Sequence, residues 1–404
     1  MNQNVDILPI VIAGAGPVGC AAALYLAREN LPVILLESET VLPEDLRAST
    51  FHPPTLDMLD ELELTDSLIK QGLVVHDFQF RERKTNQVAK FKMQSLNGET
   101  KHPYRLQCEQ YKMTNTVVEI LKTMPNVEVR MGQKLLGFDE SEGRVDVLTY
   151  DGEQEDKIAA SYLIGSDGSN SRVRQSAGIR FEGLTYPEMF LVASTTFPFE
   201  KHMEDLSWVN YISDPDEWCV MLKTVDLWRV QVPAPLDKST DELLSDAFIQ
   251  ERLQRLVTNP DGYDIHHRTL YRVHQRVAET YLCGDYTVII GDAAHVNNPL
   301  GGMGMNGGVH DAFNLCKKLV DIIFHGGDRQ ELLALYDRQR RGICVDFIQE
   351  QTKKNKIMME SMDKDVQRDR QKRLMEACSD ARLEKSFLMQ SSMIDSLRRS
   401  NEIS

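Results

Sequence analysis

The sequence predicts an α/β fold: a Rossmann-like domain of parallel βαβ units, a mixed or antiparallel β-sheet inserted into it, and a helical C-terminal tail. Three observations carry this expectation. Short apolar runs at residues 10–13, 33–36, 162–165 and 288–290 have the length and composition of central parallel strands. Residues 181–233 hold all three tryptophans (Trp208, Trp218, Trp228) and several β-like runs, which read as a second sheet. From about Gln349 onward the chain is charged and free of proline. Leu383, Phe387, Ile394 and Leu397 there fall close to helical spacing, as in an amphipathic helical tail packed on its own domain or on a second copy.

In chain order, the strand at 10–13 leads through a glycine loop into an alanine-rich helix over 20–28, and the strand at 33–36 ends at Glu37, completing a βαβ unit. Leu56, Leu59, Leu62 and Leu64 predict a helix over 55–73. A second helix is expected over 111–124, followed by a strand at 127–130. The alternating pattern of 134–157, with Asp151-Gly152 as its turn, predicts a small antiparallel unit. After the run at 288–290 a glycine-rich loop is expected, then a helix over 309–324. The implied partition is a discontinuous nucleotide domain (1–75, 102–180, 281–345), an inserted sheet domain (76–101, 181–280) and a helical segment (346–404).

Composition narrows the function classes. With 46 Lys+Arg against 61 Asp+Glu, the 404-residue chain carries a net charge of −15, the reverse of a nucleic-acid binder. Seven cysteines are scattered with no pair closer than 28 residues. There is no zinc or redox-dithiol spacing, and the pattern reads as buried thiols in a reducing, cytoplasmic setting. His266-His267 near His274 lack an acidic partner at ligand spacing, so no metal is expected. Residues 7–27 carry no charge, but Pro9, Gly14, Gly16, Pro17 and Gly19 would break a membrane helix. A strand, a turn and a buried helix account for them, and no membrane contact is expected.

The chemistry-bearing motifs begin with Gly14-Ala15-Gly16-Pro17-Val18-Gly19. It follows a strand, opens a helix, and is followed 18 residues later by Glu37 at a strand end, which is the context of a dinucleotide-binding loop. Gly14 permits the tight turn, Gly16 the approach of a pyrophosphate, and Gly19 close helix–strand packing. Backbone N–H groups at the helix start would face the phosphates, and Glu37 would accept from a ribose. Two later segments follow apolar runs in the same way. One is 165–174, with Asp167, Gly168, Arg172 and Arg174. The other is 291–308, with Asp292, His295, Asn298, Pro299 and five glycines between 301 and 308. The second predicts backbone passing close under a flat ligand, with no regular structure until the helix beyond it.

These three motifs, in this order and spacing, resemble the single-component flavoprotein aromatic hydroxylases, the family of para-hydroxybenzoate hydroxylase and salicylate hydroxylase, over roughly the first 320 residues. The resemblance implies FAD as cofactor and NAD(P)H as co-substrate. The implied reaction hydroxylates a small phenolic or hydroxylated N-heteroaromatic compound with O2 through a flavin C4a-hydroperoxide. It assigns Gly14, Ala15, Gly16, Pro17, Val18, Gly19 and Glu37 to the ADP half and Arg47 to the flavin side. Gln110 matches the glutamine ahead of the third helix, with Gln107 competing for that alignment. Asp167 and Arg172 fall near the pyrophosphate, Asp292 at the ribityl chain, Gly304, Met305 and Asn306 at the pyrimidine edge, and Pro299 at the reactive face. The chain departs from the family in having Asn298-Pro299 where two prolines are common, and Glu37-Ser38-Glu39 where basic residues favour NADPH.

Substrate groups are expected from the second sheet and nearby strand ends. Tyr211 would polarise a phenol, Arg229 would hold a carboxylate, Trp208 and Trp218 would line the ring, and His52 would relay a proton. A flavin-dependent halogenase shares the fold, but the segment Trp228 to Pro233 has Val230 where halogenases have a second tryptophan. A flavin-binding sensor or scaffold without turnover is a third reading. A homodimer through the second sheet or the tail is the expected assembly.

Overall fold

The computed structural model describes residues 7–44, 46–214, 217–354 and 364–404. Its centre is a five-stranded parallel sheet in the order Thr287–Ile289, Tyr162–Gly165, Ile10–Ala13, Val33–Glu37, Val127–Met131. Ile10, Val11, Ile12, Leu163 and Ile164 are fully buried, as parallel strands covered on both faces require. Helix Pro17–Arg28 starts with proline at its first turn, where no intrahelical N–H is lost. Its alanines let it bury almost all round: Ala21, Ala22 and Ala23 expose nothing. Five of the cysteines (Cys20, Cys108, Cys219, Cys316, Cys344) are buried thiols. No helix of the described residues is long and apolar enough to cross a membrane.

An eight-stranded sheet stands beside this core, in the order His295–Val296, Ile265–Ala278, Phe181–Thr195, Trp228–Ala234, Cys219–Lys223, Val209–Ser213, Asp77–Glu82, Val88–Lys92. All its pairings are antiparallel except Val209–Ser213 with Asp77–Glu82. Two long strands, Phe181–Thr195 and Ile265–Ala278, run from the nucleotide half into it. At their near end Ala278 donates to the Ala294 carbonyl. A small three-stranded sheet (Thr50–Phe51, Arg105–Gln107, Leu73–Val75) lies between the two halves in the chain's course and presents Arg105 beside Val75.

Three expectations need correction. The helix over 55–73 is two helices, Pro53–Glu61 and Thr65–Gln71, followed by the strand Leu73–Val75. Glu63 takes φ +51° and the Leu59 carbonyl accepts from both Leu62 and Leu64. Leu56, Leu59, Leu62 and Leu64 stay buried while the axis breaks, so apolar spacing alone could not show it. The segment 134–157 has a second turn at Gly143 (φ +83°) besides the one at Gly152, giving three strands. Finally, the glycine-rich stretch is largely helical: the helix spans Met303–His325 and contains Gly304, Gly307 and Gly308.

The tail forms helices Lys364–Ser379, Ala381–Ser391 and Ile394–Glu402. It packs on its own chain. Phe387 stacks on Phe91 at 4.3 Å between centroids, and Glu384 accepts from Lys92 N and Ser95 Oγ at 2.8 and 2.6 Å. Leu383, expected on the buried face, is exposed.

Candidate active site

The glycine loop is built for close approach. A Cβ on Gly19 would lie 2.0 Å from the Gly14 carbonyl oxygen, and one on Gly14 (φ +104°) 2.6 Å from that of Ser166. Gly16 is the opposite case, with nothing within 4 Å of where a Cβ would be. Two glycines thus let protein meet protein, and the third leaves the helix start bare. No side chain caps that helix, so its first N–H groups are free for an anion. Glu37 accepts from Ala15 N at 2.9 Å and from Glu39 N at 3.0 Å, which fixes the loop against the strand end. Val18 wedges between Gly291 and Gly308, each of which would put a Cβ within 3.1 Å of it.

The second glycine segment presents another uncapped helix start. Gly302 is the N-cap residue at φ +68°, and Gly304 faces open space. Met305 is buried in the core. Asn306 is buried with its side chain committed: Oδ1 accepts from His52 N (2.9 Å), and Nδ2 donates to the carbonyls of Thr50 (2.8 Å) and Gly302 (2.7 Å). It therefore pins the Thr50–Phe51 strand to the helix, leaving only its backbone to meet a ligand. The Pro299 carbonyl accepts from Gly302 N at 3.0 Å, closing the turn before the helix.

Asp292 reaches solvent yet stands in a cleft surrounded by protein. That desolvation raises its pKa, against the pull of His295 and Arg47. Arg47 is exposed on the segment opposite. Beneath Asp292 lies a buried ionic cluster that the sequence reading missed. Asp311 bonds His295 Nε2 and Arg340 Nε, both at 2.7 Å, and accepts from Gly291 N at 3.1 Å. Burial opposes its ionisation, but the two cations outweigh it and hold the Asp311 pKa down at about 2. His295 is pushed up despite burial, by Cys344 and Asp311.

Asp167 Oδ2 accepts from Arg172 N and Val173 N (2.6 and 3.1 Å), while its Oδ1 is buried without a partner. Arg172 itself reaches the Leu136 carbonyl at 2.7 Å. Arg174, named in its motif but given no role from sequence, ties the two aspartate turns together. It donates to the carbonyls of Ala293 (2.7 Å) and Ser169 (2.8 Å) and lies 3.8 Å over the Phe181 ring. Gln107 is buried against Thr50 at 2.9 Å. Gln110 is half-buried at the first turn of helix Gln110–Leu121, so of the two glutamines it is the better placed to meet a ligand.

The expected substrate residues separate. Tyr211 faces a narrow cavity with Phe78, Phe80, Arg105, Phe387, Leu300, Gly301 and Met303. Arg229 is buried with its guanidinium on the Leu46 carbonyl and Ser49 Oγ. It tethers the segment that carries Arg47 and does not open onto the cavity. Trp218 packs edge-on against Phe190 at 5.2 Å, and Trp208 lies between two apolar clusters, 5.9 Å from Trp228. Neither tryptophan is among the cavity's lining residues. Nor is His52, which is fully buried with Nε2 2.8 Å from the Gly301 carbonyl. Burial, then the charge of Arg105, bring its pKa down to about 3, so it is neutral at ordinary pH and suits a clasp better than a proton relay. His266 pairs with Asp264, and His274 with Thr185.

Two bare helix starts, a floor opened by glycine and an aspartate in a polar cleft together define a dinucleotide-binding flavoprotein site. The chain belongs to the FAD binding domain family, whose model matches residues 7–351. Over 347 residues it is 33% identical to para-nitrophenol 4-monooxygenase of Pseudomonas sp. (strain WBC-3), covering 84% of each chain. It is 30% identical over 344 residues to 6-hydroxy-3-succinoylpyridine 3-monooxygenase HspB of Pseudomonas putida (strain DSM 28022 / S16), covering 84% of this chain and 86% of that one. The crystal structure of p-nitrophenol 4-monooxygenase PnpA from Pseudomonas putida DLL-E4 superposes with a TM-score of 0.90 at 30% identity, over 97% and 98% of the two chains.

Proposed function

We infer that the protein is an FAD-dependent monooxygenase that hydroxylates a small phenolic or hydroxylated N-heteroaromatic compound, with NAD(P)H and O2 as co-substrates. One observation carries the reading: Gly301, the first glycine of the loop that opens the FAD floor, also lines the aromatic cavity beside Tyr211. A ring held there lies next to the redox cofactor. FAD, reduced by the nicotinamide, supplies the oxygen-activating chemistry. The chain's own task is to bind, orient and exclude water. In this reading residues 14–19 cradle the pyrophosphate and Glu37 meets the adenosine ribose. Asp167 and Arg172 hold the approach to the pyrophosphate, and Asp292 meets the ribityl hydroxyls. Arg47 and Gln110 flank the flavin, and the backbone at Gly304, Met305 and Asn306 takes its pyrimidine edge. Pro299 shapes the turn toward the reactive face.

The partition of residues 1–75, 102–180 and 281–345 for cofactor, and 76–101 with 181–280 for substrate, belongs to the same reading. The membership of the parallel and eight-stranded sheets supports it. Pairing of two copies is a further part, checked by sedimentation of the loaded protein. The main test is a panel. Purified protein should carry a flavin absorbance band, and one or more phenols or pyridinols should accelerate NAD(P)H oxidation and yield a product with one added oxygen. Flavin-loaded protein that no panel member stimulates would overturn the reading in favour of a scaffold, and halide-dependent products would overturn it in favour of a halogenase.

A further inference from the structure

Arg105 is the least satisfied cation near the cavity. Its side chain is almost wholly buried, at 2% exposure, and its Nε has no hydrogen-bond partner. Among the described residues no carboxylate pairs with it. Its neighbours are the face of Phe78, 4.0 Å from the guanidinium carbon, and Tyr211, which lines the same cavity. Buried charges are ordinarily paired, because leaving water is costly. His52, which also feels Arg105, is neutral. The tail contributes Gln351, Phe387 and Ser391 to the cavity, none of them charged, and the remaining wall is Phe78, Phe80, Leu300, Gly301 and Met303. The site therefore holds one positive charge, the hydroxyls of Tyr211 and Ser391 and the Gln351 amide among aromatic and apolar walls.

We propose that Arg105 is the residue that anchors the substrate's ring oxygen, as the charge partner of its anionic form beside Tyr211. The proposal rests on the monooxygenase reading and adds the residue that holds the ring oxygen. An anionic oxygen completes the buried pair, and the planar guanidinium leaves a donor for it beside Tyr211. The Phe78, Phe80 and Tyr211 rings supply an aromatic wall for the substrate ring, with Tyr211 and Phe80 stacked on each other at 4.9 Å. An electron-rich phenolate is also the form that an electrophilic oxygen attacks most readily. The cavity is narrow, with space for about two waters. Entry of a ring therefore displaces the tail wall at Phe387.

The test is spectral titration of the FAD-loaded protein with a chromophoric nitrophenol, whose phenolate absorbs apart from the phenol. Wild type should bind the phenolate and lower the ligand's apparent pKa by about one pH unit or more. Arg105→Met should abolish that change and weaken binding on the order of 30-fold, with flavin content retained and Tm unchanged or raised, since an unpaired buried cation is replaced by an apolar side chain. Arg105→Lys, which keeps the charge, should recover part of the phenolate preference, and Tyr211→Phe should lose several-fold. Three results would overturn the proposal: the neutral phenol as the bound form, undiminished phenolate binding by folded Arg105→Met and Arg105→Lys alike, or a benzoate lacking the hydroxyl that binds as tightly as the nitrophenol. A wild type that binds the phenolate but forms no hydroxylated product upholds the anchor and overturns the monooxygenase reading instead, so the two failures are distinguishable.

Discussion

The FAD floor and the ring cavity share Gly301 but are made of different materials. The floor is backbone: Gly14, Gly19 and Gly302 let chain pass close against chain, and Gly16 and Gly304 leave the two helix starts open. The cavity is side chain, with Arg105, Tyr211, Phe78 and Phe387 brought together from four separate stretches. A site made of absent side chains tolerates almost no substitution. A site made of present ones is graded, each residue contributing its own increment. Breaking the floor should therefore remove cofactor altogether, whereas changes in the cavity should alter substrate preference with cofactor retained.

The largest effect is expected at Gly19. Gly19→Val places a Cβ 2.0 Å from a backbone oxygen, which no side-chain motion relieves. It should leave the protein colourless or insoluble, as judged by flavin absorbance after purification. Next is Asp311→Ala, which leaves His295 and Arg340 buried and uncompensated. A loss of about 3–5 kcal/mol is expected, measured by chemical denaturation. Its pH dependence has a definite sign. Because folding depresses the Asp311 pKa to about 2, the stabilisation is fully present above about pH 4, the range of an unfolded aspartate. It is lost as pH falls toward 2, so the gap between wild type and Asp311→Asn should close over that interval. An equal gap at pH 6 and pH 2 would show that the cluster does not stabilise by charge.

Asp292→Ala should weaken FAD retention on the order of tenfold, the loss of a charge-assisted hydrogen bond. Unchanged flavin content after dialysis would place the ribityl contact elsewhere. The smallest effect separates the two regions most sharply. Phe387→Ala should raise KM several-fold, in keeping with about 0.5–1.5 kcal/mol for a ring contact, and leave flavin content untouched. Co-loss of flavin would show that the tail supports the floor as well.

The same contrast explains what could be read in advance. Gly14 to Gly19, Glu37 and the Asp292 segment are local: a few adjacent residues fix the conformation and therefore the chemistry. Tyr211 was recognised as a cavity residue, but Arg105, 106 residues before it in the chain, was not, because only the strand pairing of Arg105–Gln107 with Leu73–Val75 carries it there. Arg229 and Asn306 show the converse. Their residue types suit ligand binding, yet the Leu46 carbonyl and Ser49 in one case, and Thr50 and His52 in the other, claim them first. Asp311 gave no signal because an aspartate inside an amphipathic helix looks solvated until Arg340 and His295 arrive from elsewhere in the chain. The leucine spacing of 56–64 predicted burial correctly and continuity wrongly, since periodicity reports which face is apolar and not whether the axis turns.

The helix Met303–His325 begins with glycine at three of its first six positions, and each costs roughly 1 kcal/mol relative to alanine. The segment proposed to receive the flavin is thus intrinsically reluctant to coil, and cofactor bound there would offset the deficit. Limited proteolysis should then cut flavin-free protein within this segment sooner than loaded protein.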